Sequence, residues 1–173
     1  VVFALARETG EGYLWIRDLD DPVGRVLQGT ENASYPFWSP DSRQIAFFAD
    51  GKLKKVSATG GAVQSICPAP NGRGVAWGTG DMIVFTPDTF GPLFQVPASG
   101  GAAVAVTKVA DEVTTHRNPH FLPDGKHVLY FSGKSTSDPD GGVYCVNLAT
   151  KQTELVLRVD SEGVYVEPGY LVF

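Results

Sequence analysis

The stretch YPFWSPDSRQIAFF, residues 35–48, decides the fold. Pro40 and Asp41 stand side by side between an aromatic run and the apolar QIAFF. Proline pre-sets φ for the second position of a tight turn, and an aspartate there accepts a hydrogen bond from a backbone amide one or two residues on. The stretch therefore reads as strand, corner, strand. The corner returns in HFLPDGKHVLYF, residues 120–131, where Pro123, Asp124 and Gly125 take the places of Pro40, Asp41 and Ser42. The two aspartates are 83 positions apart (124 minus 41), close to two units of about 42 residues. Between them GVAWGTGDMIVF, residues 74–85, keeps an aromatic, glycines and Asp81 ahead of an apolar run but has no proline.

A second marker repeats the period. VSATGG at 56–61 and VPASGG at 96–101 match in kind at every place except Ser57 against Pro97, at an offset of 40. Their Gly-Gly steps supply the positive φ that two-residue hairpins need. Apolar strand centres align at Phe3, Phe47, Phe85, Tyr130 and Phe173. The clearest unit contains YPFW, then QIAFF, KLKKVSA and GGAVQSI, short runs separated by turn formers. Such runs predict four antiparallel strands joined by hairpins, and no segment carries a helical period of useful length.

Four short strands per unit of about 40–45 residues is the arithmetic of a propeller blade. The predicted fold is all-β: a β-propeller of four-stranded antiparallel blades, forming a partial ring of about four blades from a larger propeller of roughly six to eight. The whole of 1–173 is one propeller region, with blade units at approximately 1–33, 34–70, 71–113 and 114–161 and a partial unit at 162–173. Seventeen strands are expected, three whole units preceded by three strands and followed by two. VYVEP near the C-terminus could complete the first blade, but GYLVF would then have no place, so a closed four-bladed ring is disfavoured.

With the repeat laid out, the chain resembles the TolB-like, WD-repeat-like propeller family, whose blades carry an aromatic-Ser-Pro-Asp-Gly corner before an apolar strand. Trp38-Ser39-Pro40-Asp41-Ser42 and Phe121-Leu122-Pro123-Asp124-Gly125 carry the match, with Ser42 in place of the usual glycine. More narrowly, SPDSRQIAFFADGKLKKVSATGG, HFLPDGKHVLYF and PGYLVF are similar to propeller regions found C-terminal to bacterial serine/threonine protein kinases. The resemblance implies a non-catalytic sensor or protein-docking module, in a periplasmic or other extracytoplasmic setting at the cell envelope. It implies no kinase activity in this chain. His116-Arg117-Asn118 echoes a catalytic loop but lacks the Asp base, and no β3 lysine or Asp-Phe-Gly is present.

The totals exclude several functions. Hydrophobic residues make up 43% and charged residues 19%, as in folded globular domains, so disorder is not expected. A net charge of −5 with scattered basic residues gives no footprint for nucleic acid. The longest apolar run, Val1 to Ala6, is far shorter than the roughly 20 residues of a membrane helix. VVFALA opens the chain without an initiator Met or a charged n-region, as expected of a piece or processed product. Cys67 and Cys145 form no metal-spacing motif and are expected as apolar strand residues.

Candidate chemistry gives way each time to a structural role. His116, His120 and His127 are clustered, but Pro119 denies them a shared helical face, and turn or strand-surface positions are expected instead of a metal site. The loop SDPDGG, with Asp138 and Asp140, begins like a calcium loop, yet Ala149 stands where the closing glutamate would sit. Asp18, Asp20 and Asp21 in RDLDD are expected as exposed charge at a strand end, since nothing in the sequence raises a carboxyl pKa. Asn32-Ala33-Ser34 fits a glycosylation acceptor, a pattern common by chance. No P-loop or Gly-x-Ser-x-Gly elbow occurs. No catalytic, cofactor-binding or metal-binding residue is therefore assigned, and no cofactor.

The function expected is a binding or sensor module that docks a protein, a peptide or a small ligand at blade loops or at the channel mouth. The alternative is an accessory propeller of a larger enzyme, a serine/threonine kinase or a prolyl-oligopeptidase-like peptidase, gating or regulating its activity. Open blade edges are expected to favour self-association.

Overall fold

The computed structural model of the chain describes residues 1–6, 12–112, 114–134, 138 and 141–173. Among the described residues there is no helix, and seventeen strands fall into five sheets. The first sheet has three strands, β1 (Val2–Ala6), β2 (Gly12–Ile16) and β3 (Arg25–Val26). The second has β4 (Ser34–Trp38), β5 (Gln44–Ala49), β6 (Lys52–Ser57) and β7 (Gln64–Pro68). The third has β8 (Val75–Trp77), β9 (Met82–Phe85), β10 (Phe94–Pro97) and β11 (Val104–Ala105). The fourth has β12 (Thr115–Phe121), β13 (His127–Gly133), β14 (Gly142–Asn147) and β15 (Thr153–Leu157). The last has β16 (Val164–Val166) and β17 (Tyr170–Val172). Strand order follows chain order in every sheet and the strands within each sheet pair antiparallel, so each sheet is a meander, with one isolated parallel bridge between Gly91 and Thr115.

Period-2 alternation explains how the sheets stack. In β5, Ile45, Phe47 and Ala49 face the first sheet and meet Leu14, Ile16 and Leu27. Ala46 and Phe48 point the other way, with Leu53 and Cys67, and meet Val75, Ile83, Phe85 and Val96 of the third sheet. Val84, Leu93 and Val106 then face Val128, Tyr130 and Val146 of the fourth. The core is thus a series of layers between successive sheets. Three four-stranded blades flanked by two shorter sheets make a partial β-propeller.

The corners follow turn chemistry. Ser42 N–H donates to Ser39 O at 2.9 Å and Gly125 N–H to Leu122 O at 3.0 Å, closing four-residue turns with Pro40 or Pro123 at the second position. Asp41 Oδ1 accepts from Arg43 N–H at 3.0 Å and Asp124 Oδ1 from Lys126 N–H at 2.9 Å, the aspartate bond that the sequence predicts. The Ser39 hydroxyl also donates to Asp41, and these bonds hold the Asp41 carboxyl below its usual range. In the third sheet Asp81 N–H donates to Gly78 O at 3.2 Å, so the turn survives without its proline. Ser42, Asp81, Gly125 and Gly169 share a left-handed φ at the turn's last residue, and steps of 39, 44 and 44 residues separate them.

Three details differ from expectation. The Gly60-Gly61 and Gly100-Gly101 steps have positive φ, but they lie in six-residue connections, 58–63 and 98–103, and not in two-residue hairpins. Phe173 is no strand centre, because β17 ends at Val172 and the ring is exposed. β16 pairs with β17 and so does not complete the first sheet, where β1 remains an edge strand.

Candidate functional site

Four inner strands, β4, β8, β12 and β16, open their sheets, and residues within them or just ahead of them line one cleft of about 200 Å³. Its walls are Tyr35, Pro36 and Phe37 from the second sheet, Gly74 and Val75 from the third, Asn118, Pro119 and His120 from the fourth, and Glu162 and Val164 from the last. Tyr35, Gly74, Asn118 and Glu162 each lie seven residues ahead of the left-handed corner residues Ser42, Asp81, Gly125 and Gly169 (42 minus 35, 81 minus 74, 125 minus 118, 169 minus 162). The cleft is therefore one repeat position displayed by four successive sheets.

The backbone at that position is unusual. Tyr35 and Asn118 have φ of 49° and 52°, a conformation that a bulky residue such as tyrosine rarely adopts. Both are followed by proline, and in both strands the ladder shifts register there, between Ser34 and Phe37 and between Arg117 and His120. Gly74, at φ 126°, permits a close approach: a Cβ there would stand 3.0 Å from Asn118 N and 3.1 Å from its Cα. These residues form a mainly apolar floor with an amide, a phenol, an imidazole and a carboxylate at its rim. Burial lowers the His120 pKa, partly offset by a hydrogen bond that the ring donates to the Tyr165 backbone carbonyl. A second cleft, lined by Arg117, Phe131, Asp160, Ser161 and Glu162, adjoins the first across Asn118 and Glu162, and the Arg117 guanidinium lies 5.2 Å from the centre of the Phe131 ring.

The histidines separate into three environments. His116 was expected at the surface and is buried instead between the third and fourth sheets, because β12 turns it inward under Tyr130, with ring centroids 4.8 Å apart. Its Nδ1 lies 2.8 Å from Thr107 Oγ1, which also accepts the Leu93 N–H at 2.9 Å, and burial depresses its pKa to about 4. His120 is half-buried on the cleft wall. His127 lies in the corner, bridging Asp124 Oδ2 and Asn147 Nδ2, and its bond helps lower the Asp124 pKa to about 2. Among the described residues no group of three or more His, Cys, Asp or Glu side chains could hold a metal.

The remaining candidates stand apart from the cleft. Asp18, Asp20 and Asp21 are exposed between β2 and β3, with Asp21 Oδ1 accepting the Val23 N–H. Asp138 accepts the Lys134 N–H at 2.7 Å, while Asp140 lies outside the described residues. Ala149 sits in the β14–β15 turn, donating its N–H to Asn147 Oδ1. Asn32 is exposed, at φ 58°. Cys67 is buried on β7 and Cys145 half-buried on β14, and desolvation raises both thiols, Cys67 to about 11. Sequence reasoning found the corners and missed Tyr35, Asn118 and Glu162. The signal was present: Tyr35-Pro36 and Asn118-Pro119 recur at the same 83-residue offset as the two corner aspartates (118 minus 35).

The stacked four-stranded meanders, packed face to face with their inner strands gathered at one cleft, define a β-propeller. Its fold is TolB-like. The chain superimposes on a TolB protein of Agrobacterium tumefaciens with a TM-score of 0.74 and 15% identity, over 94% of this chain and 65% of that one. It is also similar to a chain of a nidogen/laminin complex, with TM-score 0.71 and 10% identity over 90% of this chain and 61% of that one. A dipeptidyl peptidase 4 of Porphyromonas gingivalis matches at TM-score 0.66 and 11% identity, over 98% of this chain and 33% of that one. The chain thus spans less than two thirds of the length of each of these structures. No family model matches it, and no curated protein does.

Proposed function

We propose that the chain is a non-catalytic propeller module that docks an extended peptide segment of a partner protein in the cleft at its inner strands. The observation that carries this reading is the repeat position itself, which brings Tyr35, Asn118 and Glu162 to one apolar floor from three different sheets. A rigid scaffold with variable residues at one equivalent place is how repeat folds present a recognition surface. Glu162 and the Asn118 amide offer acceptors, and Phe37, Val75 and Val164 offer apolar contact, so the segment that fits carries an apolar side chain beside hydrogen-bond donors.

The test is selection of random peptides on the immobilised chain, followed by binding to a Tyr35→Ala, Glu162→Gln double variant. Peptides that bind the parent chain should lose at least tenfold in affinity on the variant. Equal binding to both, or no enrichment at all, would refute docking at this cleft.

A second reading, an accessory propeller within a larger enzyme such as a peptidase or a serine/threonine kinase, is favoured by one observation. Structures of the same fold include a dipeptidyl peptidase 4 and a puromycin hydrolase, of which this chain would cover 33% and 28%. Sequence flanking residues 1–173 in the full polypeptide separates the two readings. A hydrolase or kinase domain there supports the accessory role, and further blades alone support the docking module.

A further inference from the structure

The chain has four asparagines, at 32, 71, 118 and 147, and they differ in the amide that follows each of them. An asparagine side chain is lost when the backbone nitrogen of the next residue attacks its Cγ, so that nitrogen must carry a proton to give up and must be unengaged. Pro119, after Asn118, has no N–H. The Leu148 N–H, after Asn147, donates to Lys126 O at 2.9 Å, and the Ala33 N–H, after Asn32, donates to Thr30 O at 3.2 Å. Gly72, after Asn71, differs: among the described residues its N–H has no hydrogen-bond partner. Pro70 and Asn71 form a turn between β7 and β8 that lacks the closing bond of the Pro40 and Pro123 corners. Asn71 is exposed, so base and water reach it. Packing fixes residue 72 as glycine, because a Cβ there would stand 2.3 Å from the Phe48 ring, which is buried between the second and third sheets. The core thus imposes the residue that leaves Asn71 open to attack.

The Asn71 side chain also has a structural task. Its Nδ2 donates to Asp88 Oδ1 at 2.9 Å and ties the turn ahead of β8 to the connection after β9. Asn32 and Asn71 each lie ten residues ahead of a left-handed corner residue (42 minus 32, 81 minus 71), and the Asn32 side chain bonds Asp50 in the same way. In the fourth sheet the residue ten ahead of Gly125 is Thr115, which pairs with Gly133 and has no carboxylate opposite (125 minus 115). Thr115 Oγ1 is accordingly buried without a partner among the described residues. The clamp is a repeat feature kept by the second and third sheets, and the fourth sheet forms without it.

We propose that Asn71 is a self-modification site, at which the Gly72 nitrogen attacks the Asn71 side-chain amide carbon and the clamp to Asp88 is released. The bond from Gly72 N to Asn71 Cγ forms as the Cγ–Nδ2 bond breaks, and Nδ2 leaves as ammonia with the proton that Gly72 N gives up. The five-membered imide then takes up one water. Attack of water at Cγ leaves aspartate at position 71, and attack at the main-chain carbonyl leaves isoaspartate, with the chain running through the side-chain carbon. Either product sets a carboxylate against Asp88 where a donor stood, so a hydrogen bond becomes a like-charge contact. The reaction stands independently of peptide docking in the cleft.

The test is storage of the 173-residue chain in mildly alkaline buffer, followed by tryptic mapping. Peptide 56–73 holds Asn71, and peptide 26–43 holds Asn32. Peptide 56–73 should gain the mass of amide-to-acid conversion, in aspartate and isoaspartate forms, at a rate within tenfold of the same peptide synthesised alone. Isoaspartate marks the ring, since direct hydrolysis of the side chain cannot form it. Peptide 26–43 should convert at least tenfold more slowly, although its asparagine carries the same clamp. Hydrogen exchange of the aged chain should be at least threefold faster at the Thr86 and Thr89 amides, which bond Gly74 O and Asp88. An Asn71→Asp variant, with an unaltered backbone, should reproduce that loosening. Conversion without isoaspartate, equal rates in the two peptides, or a chain more than tenfold slower than the free peptide would overturn the site. Unchanged exchange in the aged chain and in Asn71→Asp would overturn release of the clamp.

Discussion

The three complete blades and the two end sheets use the same repeat and differ in what covers them. Phe47 and Phe85 are 0% exposed and Tyr130 2%, whereas Phe3 is 46% exposed and Phe173 64%. Phe3 and Phe47 occupy the same place on the second strand of the repeat, each with an antiparallel neighbour across the ladder. What separates them is the sheet in front: Phe47 has the first sheet against it, and Phe3 has none among the described residues. A blade's strand pairing is thus local, while its core belongs to the pair of blades that share it, as in other repeat folds.

The largest expected effect tests that difference directly. Phe47→Ala removes a fully buried ring from the junction of the first and second sheets and should cost about 3–5 kcal/mol of unfolding free energy. Phe3→Ala at the equivalent place should cost less than about 1 kcal/mol. Urea denaturation of both variants measures the gap, and equal losses would mean that the front of the first sheet is covered in solution.

Next in size is the buried imidazole at the junction of the third and fourth sheets. His116 has a folded pKa of about 4, below its ordinary 6.5, because burial disfavours its charged form. Below pH 6.5 the unfolded chain takes up a proton that the folded chain refuses, so this contribution to stability is present above pH 6.5 and lost as pH falls toward 4. The full loss is on the order of 3 kcal/mol. Asp124 acts in a lower window. Its hydrogen bonds to His127 and Lys126 depress its pKa to about 2, and their contribution is lost between pH 3.8 and 2. A His116→Gln variant should flatten the stability profile between pH 6.5 and 4 and leave the acid limb below 3.8 unchanged. An unaltered profile would show that this histidine is open to solvent at the junction, unlike the apolar side chains around it.

The same contrast explains what was legible in the sequence. Strands and corners could be read because they rest on local chemistry: Pro40-Asp41 and Pro123-Asp124 specify a turn wherever they stand, and QIAFF and HVLYF specify an apolar strand directly after it. The third sheet was harder, because Thr79-Gly80-Asp81 reaches the same backbone with other residues and one position fewer before Met82. Burial of His116 was not legible, since it depends on Tyr130 and Thr107 arriving from other strands. Nor was the cleft, whose residues come together only when four sheets are stacked. Tyr35 reads as an ordinary strand aromatic, though its φ is left-handed and it lines the cleft, and Glu162 looks like a loop charge.

The smallest effect separates corner chemistry from blade coverage. The last residue of each corner is left-handed in every sheet that has one, covered or not, at Ser42, Asp81, Gly125 and Gly169. Serine at φ 57° carries a steric cost that glycine does not, whereas the Asp81 carboxylate is held there by the Trp77 Nε1–H at 3.2 Å. Ser42→Gly should therefore stabilise the chain by about 0.5–1 kcal/mol, reduced by the freedom that glycine adds to the unfolded state. Gly125→Ala should cost about 1 kcal/mol, since the new methyl takes the same left-handed cost and meets Thr79 Oγ1 at 3.3 Å. Opposite signs at these two equivalent positions, measured by the shift in urea midpoint, would assign the corner to backbone conformation. Losses at both would instead make the Ser42 side chain part of the packing, tying the corner to its blade's coverage as firmly as Phe47 is tied.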